Sequence, residues 1–147
     1  MDRLTIVKVG GKVVEEPELL DRLLDAFTTI TGYKILVHGG GKAATDLAAR
    51  LGVETKMVDG RRITDLETLE IVTMVYGGLI NKRVVAGLQA RNCNALGLTG
   101  ADLDLVRARK RAVTDIDYGY AGDVENVNSR ELRIILGENV IPVVAPL

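Results

Sequence analysis

The sequence predicts an α/β fold: a three-layer α-β-α sandwich around a mainly parallel sheet, with a β-hairpin insertion. Two observations lead there. A short β-branched run that breaks at glycines and passes into a helical apolar pattern occurs after Leu4 and again after Lys34. Strands alternating with helices in this way build βαβ units, with helices covering both sheet faces. The second observation is a stretch of alternating character, 105–124, that fits a hairpin set into that frame.

Leu4-Thr5-Ile6-Val7-Lys8-Val9 reads as a buried strand that Gly10-Gly11 turns sharply. Pro17 suits the first turn of a helix whose apolar residues Leu19, Leu20, Leu23 and Leu24 recur at helical spacing, and Gly32 ends it. Lys34-Ile35-Leu36-Val37 is the second strand, and Gly39-Gly40-Gly41 leads into a helix from Lys42 to Leu51 that Gly52 terminates. Thr64 and Glu67 have capping-box spacing and open the longest helical pattern, about 65–91, interrupted by Gly77 and Gly78. Paired interior glycines predict a close helix contact or a kink, and we expect a subunit contact there. Ala95-Leu96-Gly97-Leu98 is a third strand. The hairpin is expected as 105–113 and 116–124, turning at Thr114-Asp115. Asn128 with Glu131 caps a last helix ending at Gly137, and Val140-Ile141-Pro142-Val143-Val144 is the final strand. That strand lacks the following loop and helix of a complete α/β unit, which predicts a second half beyond this chain.

Composition narrows the function. At 147 residues, with 47% hydrophobic and 27% charged residues and a mean hydropathy of +0.16, the chain fits one globular domain. The net charge of -1 provides no overall field toward nucleic acid or anionic lipid. Arg107, Arg109 and Arg111 share one face of the expected hairpin, but no aromatic residue punctuates them, so they read as a solvated face and no nucleic-acid partner is expected. The single cysteine, Cys93, excludes an internal disulfide, and the single histidine, His38, excludes chemistry that needs two imidazoles. Met1 to Thr5 shows no leader pattern and no run approaches a membrane span, so a cytoplasmic protein without a membrane partner is expected.

Both glycine clusters, Lys8-Val9-Gly10-Gly11-Lys12 and His38-Gly39-Gly40-Gly41-Lys42, follow strands and expose backbone N–H groups. The second also opens a helix, whose positive end favours anions. Two cradles side by side suit a polyphosphate, and Lys8 should emerge beside those amides with an anionic partner. A Walker A loop is excluded, because Leu36 and Ala43 stand where it needs Gly and Ser or Thr. Gly39, Gly41 and Ala44, with Asp59 about 20 residues on, also fit a dinucleotide fingerprint. That reading leaves Lys8 and the first cluster without a role.

Lys8-x-Gly10-Gly11, Val37-His38-Gly39-Gly40-Gly41, Asp59-Gly60-Arg61-Arg62-Ile63-Thr64 and Asn81-Lys82, continued by Gly119-Tyr120-Ala121-Gly122-Asp123-Val124 and the last strand, resemble the amino acid kinase family. The resemblance spans nearly the whole chain. It implies phosphoryl transfer from ATP, with Mg2+, to the side-chain carboxylate of an N-acylated glutamate, N-acetyl-L-glutamate by default and its N-succinyl analogue as the alternative. It implies that Lys8 offsets charge on the transferring group, that Gly10, Gly11, Gly40 and Gly41 bind that group, with Gly11, Gly40 and Gly41 donating N–H groups, and that Gly40 and Gly41 also line the substrate site. It assigns Arg62 to the substrate α-carboxylate. A carboxylate nucleophile is already ionised at neutral pH and needs no general base, so a histidine-poor site is no obstacle. The resemblance further implies that residues 1–147 are an N-terminal acyl-glutamate-binding domain whose nucleotide-binding domain, magnesium ligands and remaining catalytic groups lie elsewhere. The chain alone is then expected to be inactive and to form a homodimer through the 65–91 helix, without arginine feedback.

Overall fold

The computed structural model describes residues 3–147, so the expectation at Met1 and Asp2 lies outside the described residues. The chain runs β1 (Leu4–Val9), α1 (Gly11–Glu15), α2 (Pro17–Thr28), β2 (Tyr33–His38), α3 (Gly41–Arg50), β3 (Lys56–Val58), β4 (Arg61–Ile63) and α4 (Leu66–Val72). A π-helical segment, Thr73–Ile80, joins α4 to α5 (Asn81–Gln89). Then come β5 (Ala95–Leu98), a 3-10 turn at Asp102–Asp104, β6 (Val106–Lys110), β7 (Gly122–Val127), α6 (Ser129–Gly137) and β8 (Ile141–Val144).

Four parallel strands in the order β1-β2-β8-β5 form the central sheet. Side chains alternate across it, and the register sets Val7 beside Leu36 and Leu36 beside Val143. On that side lies the main core, where Leu24, Phe27, Ala44, Ala48, Val75, Ile80, Val84 and Leu88 from the helices meet Leu36 and Val143. Ile35 and Leu98 point the other way, and α6 packs on β8 there. The helices therefore lie on both sides, as the alternation requires.

Three helices end in the same device. Gly52, Asn92 and Asn139 have positive φ, and the next amide closes back to a carbonyl inside the helix: Val53 to Ala48 at 2.9 Å, Cys93 to Leu88 at 3.0 Å, Val140 to Ile135 at 3.2 Å. Cys93 thus sits half-buried against the core at a helix end. The last helix ends at Gly137, as expected, and the positive φ lies just beyond it at Asn139. Asn128 precedes it without capping it, because its side chain donates to the Leu103 carbonyl at 3.1 Å. The α4 cap is Asp65, one residue beyond the expected Thr64; its carboxylate accepts from the Thr68 N–H at 2.9 Å. Lys34 is buried and its ammonium caps the end of α2, donating to the Phe27, Thr28 and Ile30 carbonyls.

The long helix is continuous from Leu66 to Gln89, and the glycines produce neither a break nor a cap. Gly77 makes the close contact, with Leu147 and Thr99 of the same chain at 3.3 and 3.4 Å from its Cβ position. Gly78 faces outward beside exposed Met74 and Leu79. By length and mean hydropathy this helix would suffice to cross a membrane. Its Ile71, Val72, Val75, Ile80, Val84 and Leu88, however, are buried in the core.

The hairpin is shorter and later than expected. Its strands pair Val106 with Val127 and Lys110 with Gly122, and residues 111–121 form the connection. Tyr118 and Tyr120 cannot continue the ladder, because their backbone groups pair with Thr64. Every basic residue of the expected face has an acidic neighbour: Asp104 for Arg107, Glu125 for Arg109 and Asp123 for Arg111.

Candidate functional site

The two glycine loops leave the carboxyl ends of adjacent strands, the edge at which open α/β sheets bind ligands. The Gly39 N–H donates to the Val9 carbonyl at 3.1 Å and ties one loop to the other. A Cβ on Gly11 would lie 3.2 Å from the Gly41 nitrogen and 3.4 Å from that of Gly40. A side chain at Gly11 would therefore crowd those amides. Gly40 is closed in from behind, since a Cβ there would overlap the Ile80 side chain and come within 3.1 Å of the Tyr76 ring. Only Gly10 is open, with nothing within 4 Å of its Cβ position. The expected phosphate-binding glycines thus converge, with Gly10 at the rim.

Two charges modify the simple cradle. Glu15, at the end of α1, reaches across to accept the Ala43 N–H of α3 at 2.9 Å. The positive end of α3 is therefore offset in part by the protein's own carboxylate, and the amides of Gly40 and Gly41 lie beside Gly11 at that end. Lys8 is exposed on the strand side opposite buried Val9. Among the described residues it takes part in no ion pair, and none of them supplies the expected anionic partner. Lys42, by contrast, turns away to Asp46 at 2.7 Å, which raises its pKa.

Arg62 arrives by a route the sequence analysis missed. Asp59 and Gly60 both have positive φ and make a two-residue turn between β3 and β4, the arrangement that Asp-Gly favours in hairpins. The end of that hairpin is pinned at Thr64, whose N–H donates to Tyr118 O at 3.1 Å and whose carbonyl accepts from the Tyr120 N–H at 2.7 Å. Gly119, at φ +68, makes this possible, because a Cβ there would strike the Thr64 carbonyl. From β4 the Arg62 guanidinium donates through Nη2 to Gly41 O and to Thr45 Oγ1, both at 2.7 Å. Its Nε–H is buried and has no acceptor among the described residues. Burial raises the neighbouring Tyr76 hydroxyl above its ordinary pKa, against the opposing pull of Arg62.

Behind the second loop lies a polar network also absent from the sequence analysis. His38 is buried, with Nδ1 3.0 Å from the Gly39 oxygen and Nε2 3.1 Å from Asn81 Nδ2. Asn81, also buried, donates to Val143 O at 2.9 Å, and its Oδ1 accepts from Lys82 Nζ at 3.0 Å. Burial lowers the His38 pKa, and the bond to Gly39 opposes it only in part. The two partners are 43 positions apart, so no local signal announces the pair.

Chemically, the site offers oriented amides and an arginine with an unpaired donor, which together suit a carboxylate or phosphoryl group. Among the described residues no three His, Cys, Asp or Glu gather as metal ligands. Asp59 lies in the hairpin turn outside the parallel sheet, which does not suit the ribose-binding role of a dinucleotide site.

Known proteins resemble the chain over nearly its whole length. The profile of the amino acid kinase family matches residues 3–147. The chain is 61% identical over 146 residues to an acetylglutamate kinase of Phocaeicola vulgatus and 60% identical over 147 residues to one of Parabacteroides distasonis. An acetylglutamate kinase of Methanopyrus kandleri is 45% identical over 148 residues. These alignments cover 98–100% of this chain but 57–58% of each relative, so the chain spans little more than half their length. Among solved structures, smu.665 of Streptococcus mutans superposes with a TM-score of 0.78 at 25% identity, over 97% of this chain and 58% of that one. An N-acetylglutamate synthase of Neisseria gonorrhoeae superposes at 0.79 and 23% identity, over 98% of this chain and 33% of that one, and shares the fold.

Proposed function

The chain belongs to the amino acid kinase family, and on that premise we propose that residues 1–147 form the acyl-glutamate-binding domain of an N-acetyl-L-glutamate kinase. The observation that carries this reading is Arg62. A strand far along the chain brings its guanidinium against the glycine loops, where Nε–H has no acceptor among the described residues. A carboxylate is the planar anion that a guanidinium binds best, and to take it with two donors Arg62 exchanges an Nη2 bond to Gly41 O or Thr45 Oγ1 for the ligand.

In the proposed reaction the side-chain carboxylate of the substrate attacks the γ-phosphorus of ATP. An acyl-phosphate bond forms, the bond to the bridging oxygen breaks, and ADP leaves with that electron pair. The nucleophile is ionised at neutral pH, so the chain needs to supply alignment and charge, not a base. Arg62 holds the α-carboxylate. The N–H groups of Gly11, Gly40 and Gly41 bind the phosphoryl oxygens, and Lys8 offsets their charge as it redistributes in transfer. The nucleotide, its Mg2+ and the other catalytic groups belong in this proposal to the portion of the relatives' length that the chain does not span. The reading carries with it a cytosolic homodimer, in which exposed Met74, Gly78 and Leu79 of the long helix meet a second copy. Gly78→Leu is expected to lower the dimer fraction in sedimentation.

A thermal-shift panel with N-acetyl-L-glutamate, N-succinyl-L-glutamate, ATP and NAD tests the proposal, because a ligand that binds only the folded state raises Tm. A rise with an acyl-glutamate and none with NAD is expected, and the larger rise identifies the acyl group. A rise with NAD alone contradicts the proposal.

A further inference from the structure

The family reading gives no task to the buried His38 or to Asn81. Their hydrogen bonds determine each other. Lys82 Nζ donates only, so the Asn81 atom 3.0 Å from it must be the acceptor oxygen, and Asn81 Nδ2 is then the donor. Its two hydrogens go to Val143 O at 2.9 Å and to His38 Nε2 at 3.1 Å. Nε2 is therefore an acceptor, the ring proton resides on Nδ1, and Nδ1–H donates to Gly39 O at 3.0 Å.

That last bond has a consequence one atom further on. The Gly39 carbonyl and the Gly40 N–H belong to one planar trans peptide and point in opposite directions. Holding the carbonyl back toward His38 directs the Gly40 N–H forward. Ile80 and Tyr76 back Gly40 where a Cβ would lie, and the bond from His38 Nδ1 restrains the Gly39 carbonyl. A small peptide rotation would turn the donor away from a ligand. Gly97 completes the device: a Cβ there would overlap Asn81 Oδ1, so its bare Cα lets Asn81 and Lys82 lie against β5, with Lys82 Nζ 3.3 Å from Gly97 O.

We infer that His38 is a positioning residue: oriented by Asn81, it locks the Gly39–Gly40 peptide so that the Gly40 N–H faces the ligand. The inference rests on the proposed function, which makes that N–H a ligand donor. Asn81 and Lys82 act through His38 and touch no ligand.

Two measurements test it, one without ligand and one with. In the ligand-free chain, nitrogen NMR of the His38 ring is expected to show a neutral ring protonated at Nδ1. An Nε2–H ring overturns the inference. The second compares two variants by titrating N-acetyl-L-glutamate while following the Gly40 amide. His38→Asn keeps a donor where Nδ1 lies and loses the link to Asn81, whereas His38→Gln keeps a group near Nε2, and more of the volume, but loses the donor to Gly39. A positioning role predicts wild-type affinity within about threefold for His38→Asn and at least about tenfold weaker binding for His38→Gln. A role in filling space predicts the reverse order, and that order, or equal affinities, overturns the inference while leaving the proposed function standing. If the wild-type chain binds no acyl-glutamate although its ring carries the proton on Nδ1, the proposed function fails, and the positioning role fails with it.

Discussion

Gly10-Gly11 after β1 and Gly39-Gly40-Gly41 after β2 sit side by side on one sheet edge, yet the first loop is open to its outer side and the second is packed from behind by the π-helical segment. A Cβ at Gly10 would meet nothing, one at Gly11 would crowd the amides of Gly40 and Gly41, and one at Gly40 would strike Ile80 and Tyr76. Alike in sequence, the loops are packed differently: the second is backed by Ile80 and Tyr76, and the first is open at Gly10 beside the exposed Lys8. The difference comes from what a long helix places behind each loop, and composition does not report that.

Substitution at Gly40 is the strongest way to break the comparison. Gly40→Ala drives a Cβ into Ile80 and is expected to cost about 1–3 kcal/mol in chemical denaturation, with loss of acyl-glutamate binding. Adding Ile80→Ala should recover part of the stability, because the two sites share one clash. Arg62→Lys keeps the charge and loses the fork, so calorimetry is expected to show roughly tenfold weaker N-acetyl-L-glutamate binding. Acidification reads the packing behind the second loop. His38 has a lowered pKa when folded, so between that value and the unfolded 6.5 the unfolded chain binds the extra proton. Its contribution is fully present above 6.5 and is lost as pH falls through the folded value. Tm should therefore fall on going from pH 7.5 toward 5.5, and less so in His38→Asn. The smallest effect is expected at the open loop, where Gly10→Ala should change unfolding free energy by no more than about 0.5 kcal/mol.

The parallel strands and their glycine turns were legible, because β-branched runs ending in glycine have few other uses in an α/β chain. Short pieces were not. Helix α1 has 5 residues and β3 and β4 have 3 each, too few for any periodicity to emerge. The Asp59-Gly60 turn was the available signal for the hairpin that carries Arg62. Arg107 and Arg109 fall in β6 but Arg111 lies in the connection, because residues 118–120 pair with Thr64, a contact far along the chain. The π-helical register of 73–80, which brings Tyr76 and Ile80 to Gly40, has no local code beyond the two glycines. The site glycines and Lys8 could be read from position, whereas Arg62 was identified by resemblance and the His38–Asn81 pair only by the fold.

The central claim is that both loops and Arg62 form one carboxylate and phosphoryl site. The most direct test is nitrogen-edited NMR of this chain during titration with N-acetyl-L-glutamate. The account predicts that the amides of Gly11, Gly40 and Gly41 and the Nε–H of Arg62 shift together along one binding curve, while Gly52 and Gly78 stay unmoved. Shifts confined to other residues, or an Arg62 Nε–H indifferent to saturating ligand, would contradict it.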